Sequence, residues 1–178
     1  NAFFGRSAGN SNLTGSRNAY FGFQAGKAAT GSDNAFFGNA AGAVVTSGNS
    51  NSFFGSGAGA AATSGFSNSF FGFAAGGAMT IAVGNSFFGS GAGSSNTEGS
   101  ANAFFGNAAG LSNTTGGENV FVGDFAGNNF AVGNTTGSRN TFVGRLSGNG
   151  ITTGSSNTLL GYNTTGAANL QFGTAIGA

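Results

Sequence analysis

A period of 17 residues runs along this chain and restricts the fold more than any other property of the sequence. Aligned on the pattern Asn-x-Phe-Phe-Gly, the closing glycine falls at positions 5, 22, 38, 55, 72, 89, 106, 123, 144, 161 and 173. Seven of the ten steps equal 17, and most of the slippage sits in a four-residue insertion before Asn140 and a short eleventh unit. Each unit opens on an asparagine: Asn1, Asn18, Asn34, Asn51, Asn68, Asn85, Asn102, Asn119, Asn140, Asn157 and Asn169. An Ala-Gly pair follows the anchor glycine by three residues in the first eight units, and Ser147-Gly148 replaces it in the ninth. A unit this short cannot hold a helical hairpin, and glycine every few residues destroys a helix. It has room for two or three short strands separated by glycine turns. Stacked in register, the units predict an all-β chain, a parallel β-solenoid of about 11 rungs. Each rung would rise roughly 4.8 Å, giving a rod on the order of 50 Å long. Residues 1–178 read as one repeat domain, and a chain that starts and stops inside a repeat reads as a segment of a longer fibre protein.

Composition narrows the function. With 37 Gly and 23 Asn among 178 residues, the chain resembles a low-complexity linker at first sight. Yet 39% of it is apolar and 21 residues are Phe, far too much for a solvated coil. The fixed Ala-Gly and Thr positions separate it from disordered Phe-Gly repeats of the nucleoporin kind. Apolar runs are only a few residues long, so no membrane insertion of this segment is expected. A net charge of +1 gives no electrostatic footprint for nucleic acid. The chain has neither His nor Cys, which removes the usual metal ligands and nucleophile–base pairs.

No cofactor is expected, because the glycine-rich stretch Gly55–Gly59, which looks like a phosphate cradle, is only the repeat consensus. The four carboxylates are Asp33, Glu98, Glu118 and Asp124. The last three fall on consecutive rungs, as a glycosidase pair would. Arginine neighbours at Arg139 and Arg145 would keep Glu118 and Asp124 ionised, which is wrong for a general acid. The chain therefore reads as non-enzymatic. Opposite charges recur one rung apart at Arg17 and Asp33, Glu118 and Arg139, and Asp124 and Arg145, where facing pairs would help to hold register.

The double phenylalanine points to an oligomer. Successive strand side chains face opposite sides, so one Phe of each pair enters the solenoid and the other leaves it. The second column is wholly apolar: Phe4, Phe21, Phe37, Phe54, Phe71, Phe88, Phe105, Val122, Val143, Leu160 and Phe172. It is assigned to the core. The first column admits Tyr20 and Gln171 and is assigned outward, with Phe3, Tyr20, Phe36, Phe53, Phe70, Phe87, Phe104, Phe121 and Phe142 as the interface between chains. At roughly 150 Å² per ring such a stripe would far exceed what a monomer leaves in water. A second copy related by rotation about the rod axis is the natural cover.

The units Asn51-Ser52-Phe53-Phe54-Gly55-Ser56-Gly57-Ala58-Gly59 and Asn102-Ala103-Phe104-Phe105-Gly106-Asn107-Ala108-Ala109-Gly110 carry a further indication. They resemble the YadA-like head repeats of trimeric autotransporter adhesins, whose short strand motif Asn-Ser-x-Ala-Ile-Gly is followed by Ala and Gly. The resemblance covers essentially the whole chain. It implies a left-handed β-roll in each chain, three chains in a homotrimeric rod, and display at the tip of a fibre. That fibre would be extracellular, on a cell surface or on a tail-like structure of a phage or a predatory bacterium. This sequence departs from the family in its longer unit and in Phe-Phe where smaller aliphatic residues are usual.

The function these readings imply is adhesion: loops rich in Ser, Thr, Asn and Gly presented to a glycan or a cell-envelope ligand. The irregular eighth unit, with its insertion and extra aromatics, marks Asp124, Phe125, Asn128, Asn129 and Phe130 as a candidate ligand-binding loop. Two alternatives stand beside it. One is a fibre spacer that binds nothing; the other is an ice- or mineral-binding face built on Thr-Thr pairs such as 114–115 and 135–136.

Overall fold

The computed structural model describes residues 1–128 and 134–177. All regular structure among them is β-strand, in pieces of three residues. The strands are β1 (Ala2–Phe4), β2 (Ala19–Phe21), β3 (Ala35–Phe37), β4 (Ser52–Phe54), β5 (Ser69–Phe71) and β6 (Ser86–Phe88). They continue as β7 (Ala103–Phe105), β8 (Val120–Val122), β9 (Thr141–Val143), β10 (Thr158–Leu160) and β11 (Thr174–Ile176). They form one 11-stranded sheet in sequence order, every neighbouring pair parallel. A parallel strand cannot follow its predecessor through a tight hairpin, so each unit must travel once around before pairing again. This is a parallel β-solenoid repeat protein.

Local geometry keeps each strand short. The residue before the opening Asn is left-handed, as at Ser67 (φ 57), and the anchor glycine after the strand reverses the chain, as at Gly72 (φ 145). A side chain on Gly72 would put its Cβ 2.3 Å from the Gly89 carbonyl oxygen one rung away, so the close stacking of rungs requires glycine there. Past the turn, backbone amides bond carbonyls of the next rung, for example Gly76 N–H to Ala92 O at 2.9 Å.

The opening asparagines form a buried ladder. The backbone N–H of Asn85 donates to Asn68 Oδ1 at 3.0 Å, and Asn68 Nδ2 donates to the Ala82 carbonyl at 2.9 Å. The same pattern recurs from Asn18 to Asn157. In several rungs the amides also bond one another directly, as in Asn68 Nδ2 to Asn51 Oδ1 at 3.1 Å.

An inward asparagine fixes the parity of the strand that follows. The next residue faces out, the first aromatic faces in, and the second faces out. The two columns are thereby reversed from the sequence expectation. Tyr20, Phe36, Phe53, Phe70, Phe87, Phe104, Phe121 and Phe142 are each 0% exposed within a single chain, so they are core and not an interface between chains. Phe3, in the same column, is part-exposed only because it lies on the terminal rung. Their rings stack at centroid spacings of 4.7–5.0 Å. Each lies against the Ala-Gly segment of its own rung: a Cβ on Gly76 would sit 2.3 Å from Phe70 Cε2.

The eleventh unit also shifts. β11 pairs with β10 through Thr158↔Thr174 and Leu160↔Ile176, an offset of 16 residues instead of the 12 read from Gly173. Gly173 N–H takes the ladder position, donating to Asn157 Oδ1 at 2.7 Å. Gln171 and Phe172 therefore precede the last strand and belong to neither column. At the insertion β8 and β9 stay in register, with Phe121↔Phe142, so the four extra residues are absorbed outside the sheet.

Candidate functional site

The surface feature that runs the length of the molecule is the outward face of the sheet. Each strand presents two side chains there, its first and its third. The third gives Phe4, Phe21, Phe37, Phe54, Phe71, Phe88 and Phe105, followed by Val122, Val143, Leu160 and Ile176. The rings stack on one another at 4.7–6.0 Å, nearly coplanar in the middle of the rod (3° between Phe54 and Phe71). Faces are thus spent on neighbouring rings and edges point to solvent. Phe21, Phe71 and Phe105 remain 38%, 36% and 41% exposed. Beside this ridge the first strand position forms a second outward column of smaller residues, Ala or Ser in β1–β7 and Val or Thr in β8–β11, which lies lower than the ring column over the first seven rungs.

Around the corner from the ridge, the residue after each anchor glycine forms a second column. In its last rungs it is a polar ladder. Asn107 Nδ2 donates to Asp124 Oδ1 at 3.0 Å, and Arg145 Nε to Asp124 Oδ2 at 3.2 Å. The Arg145 guanidinium lies 5.7 Å from the ring centroid of the exposed Tyr162. At the other end of the column Arg6 lies 5.8 Å from the Phe23 ring.

Of the residues marked as a ligand loop, Asp124 belongs to this ladder and Phe125 is half-buried beside it, in left-handed conformation (φ 55). Asn128 is buried, accepting from Ser112 Oγ at 2.6 Å, so it closes the turn and is not offered to a ligand. Asn129 and Phe130 lie outside the described residues.

The charge pairings divide. Arg17 binds Asp33 through two bonds of 2.5 and 2.8 Å, and this contact holds the Asp33 carboxyl below its usual range. Arg145 and Asp124 also pair. Glu118 and Arg139 form no ion pair, and Arg139 Nε reaches Ser156 Oγ at 3.5 Å. The threonines eight residues past the anchor point their hydroxyls along the rod. Thr63 Oγ1 donates to Thr80 O and Thr80 Oγ1 to Thr97 O, both at 3.1 Å, whereas Thr115 and Thr136, the second residues of their Thr-Thr pairs, are exposed.

At the last turn a hollow of about 280 Å³ is lined by Asn163, Thr164, Thr165, Ala175, Ile176 and Gly177, none of them titratable. Among the described residues no group of three His, Cys, Asp or Glu is placed to hold a metal ion. The described residues contain no helix long and apolar enough to cross a membrane.

Residue type obscured the reversed columns; the signal beside it is the asparagine that opens the first ten units, which once bonded inward sets the parity of the strand after it. The fold and this face define a parallel β-solenoid with an apolar ridge along one side. Comparison with family models, with curated proteins and with solved structures finds no match.

Proposed function

We propose that this chain is a non-enzymatic segment of the head of a homotrimeric, extracellular fibre, presenting polar loops for adhesion to a glycan or cell-envelope ligand. The observation that carries the reading is the unbroken outward ridge from Phe4 to Leu160. With rings near 38% exposed and about 200 Å² for a free Phe, the ridge leaves on the order of 700 Å² of apolar surface open. A typical monomer's largest patch is about 300–600 Å², and a stable interface buries about 800 Å² per partner. A ridge that repeats along the rod is matched in length by another copy of the same rod. The number three follows the resemblance to YadA-like heads. Three copies of each surface loop on one stiff axis would supply avidity, so individual contacts can be weak.

Light scattering on the purified chain tests the assembly: a mass near three times 17.1 kDa is expected, and a soluble folded monomer would overturn it. Binding to glycan arrays and to whole cells tests the adhesive role. The polar ladder is an ordered, exposed group of polar and aromatic side chains, so Asp124→Asn and Tyr162→Ala should weaken binding without changing the mass. A trimer that binds nothing in either assay would make the chain a spacer.

A further inference from the structure

The two outward columns change together. In β1–β7 the groove position is Ala2, Ala19, Ala35, Ser52, Ser69, Ser86 or Ala103, and the ridge position is always Phe. In β8–β11 the groove residues enlarge to Val120, Thr141, Thr158 and Thr174, and the ridge residues shrink to Val122, Val143, Leu160 and Ile176. Volume passes from ridge to groove at the same four rungs. A solvent-exposed face has no volume to conserve, whereas a packed one does. At β8 and β9 the interior gives no reason for the change, because Phe121 and Phe142 remain stacked beneath them at 4.9 Å; only from β10 does the inward residue shrink as well, to Leu159.

We infer that the ridge of one copy packs into the groove of the next copy at the same axial level. This rests on the oligomer proposed above and specifies its seam. The contact is heterologous: ridge meets groove, and the ring closes when the last groove receives the first ridge. The switch between β7 and β8 sets the register. At zero stagger every Phe meets Ala or Ser, and every aliphatic ridge residue meets Val or Thr. Displaced by one rung, Phe105 would drive into Val120, or Val122 would leave a void over Ala103. Uniform repeats slide past one another, and this single change of residue size is what stops them.

The chain lacks cysteine, so single introduced thiols report the seam directly. Ser69→Cys chains and Phe71→Cys chains, refolded together and oxidised, are expected to give a disulfide-linked pair. Mixtures of Ser69→Cys with Phe54→Cys or Phe88→Cys should not, because a rung offset of about 4.8 Å takes Cα atoms at about 5.5 Å beyond bridging range. Linkage between Phe71→Cys chains alone would mean that ridge meets ridge and would overturn the inference. Linkage of an off-level pair would overturn the register. Light scattering on the same samples separates the outcomes: a monomer refutes the oligomer itself, and a trimer with the wrong linkage refutes only this packing. As a second readout, Phe71→Val alone should lower the melting temperature of the oligomer, and Ser69→Val with Phe71→Val should recover most of the loss. A double variant no better than the single one counts against ridge-in-groove packing.

Discussion

Tyr20 is the one member of the stacked interior column that carries a hydroxyl, and that oxygen is buried without a hydrogen-bond partner. The side-chain amide of Asn12 is likewise buried and unpaired. Burial pushes the Tyr20 ionisation up to about 12. A raised folded-state value means that the contribution to stability is complete below about pH 10 and is lost as pH rises towards about 12. By pH 11 the loss is on the order of 1 kcal/mol. Tyr20→Phe, which copies the residue of the neighbouring rungs, should abolish that alkaline loss. It should also raise stability at neutral pH by about 1 kcal/mol, by removing an unsatisfied group. Denaturant titrations of both proteins at pH 7 and pH 11 check both effects. Asp33 behaves in the opposite sense. Its lowered value makes the Arg17 contact favourable at neutral pH and weaker as the carboxylate protonates in acid.

Each rung is held by buried polar bonds as much as by its ring. Asn68→Ala would orphan the Asn85 N–H and the Ala82 carbonyl together, at a cost of about 2–4 kcal/mol. Removing the interior ring with Phe70→Ala should cost about 3–5 kcal/mol through the cavity it leaves. Phe71→Ala, on the other face of the same strand, should change the fold far less and act on the proposed assembly. Calorimetry with light scattering on the two variants distinguishes the columns. The turn after each strand carries its own strain. Ala40, Ala74 and Ala108 sit at φ 51–54, where the same column elsewhere uses Gly57 and Gly91. Ala74→Gly should therefore gain about 0.5–1 kcal/mol despite the added chain entropy, and Gly57→Ala should lose a similar amount. Opposite signs in paired melting curves are the expected result.

Contacts in the whole molecule are made rung to rung, so stability should add along the rod as in other repeat arrays. Deleting residues 56–72, one full anchor-to-anchor unit, should leave a folded solenoid whose denaturant slope falls by roughly a tenth. Loss of folding on that deletion would mean that one rung nucleates all the others. A trimeric rod adds a signature that a monomer lacks: its melting temperature rises with protein concentration, because the oligomer dissociates as it unfolds.

Repetition alone determined the solenoid. A 17-residue unit with glycine at fixed points can bury its aromatic column only by stacking on its neighbours, and parallel pairing in sequence order follows from that. Two of the three charge pairs were legible for the same reason, since residues in equivalent positions lie directly above and below one another. Which phenylalanine faces the core was not legible from hydrophobicity, because Phe53 and Phe54 are chemically identical neighbours. Only the closed rung decided it. The amides of Asn51 and its ladder partners need the carbonyl of the following rung, that bond turns asparagine inward, and alternation then leaves the second ring outside.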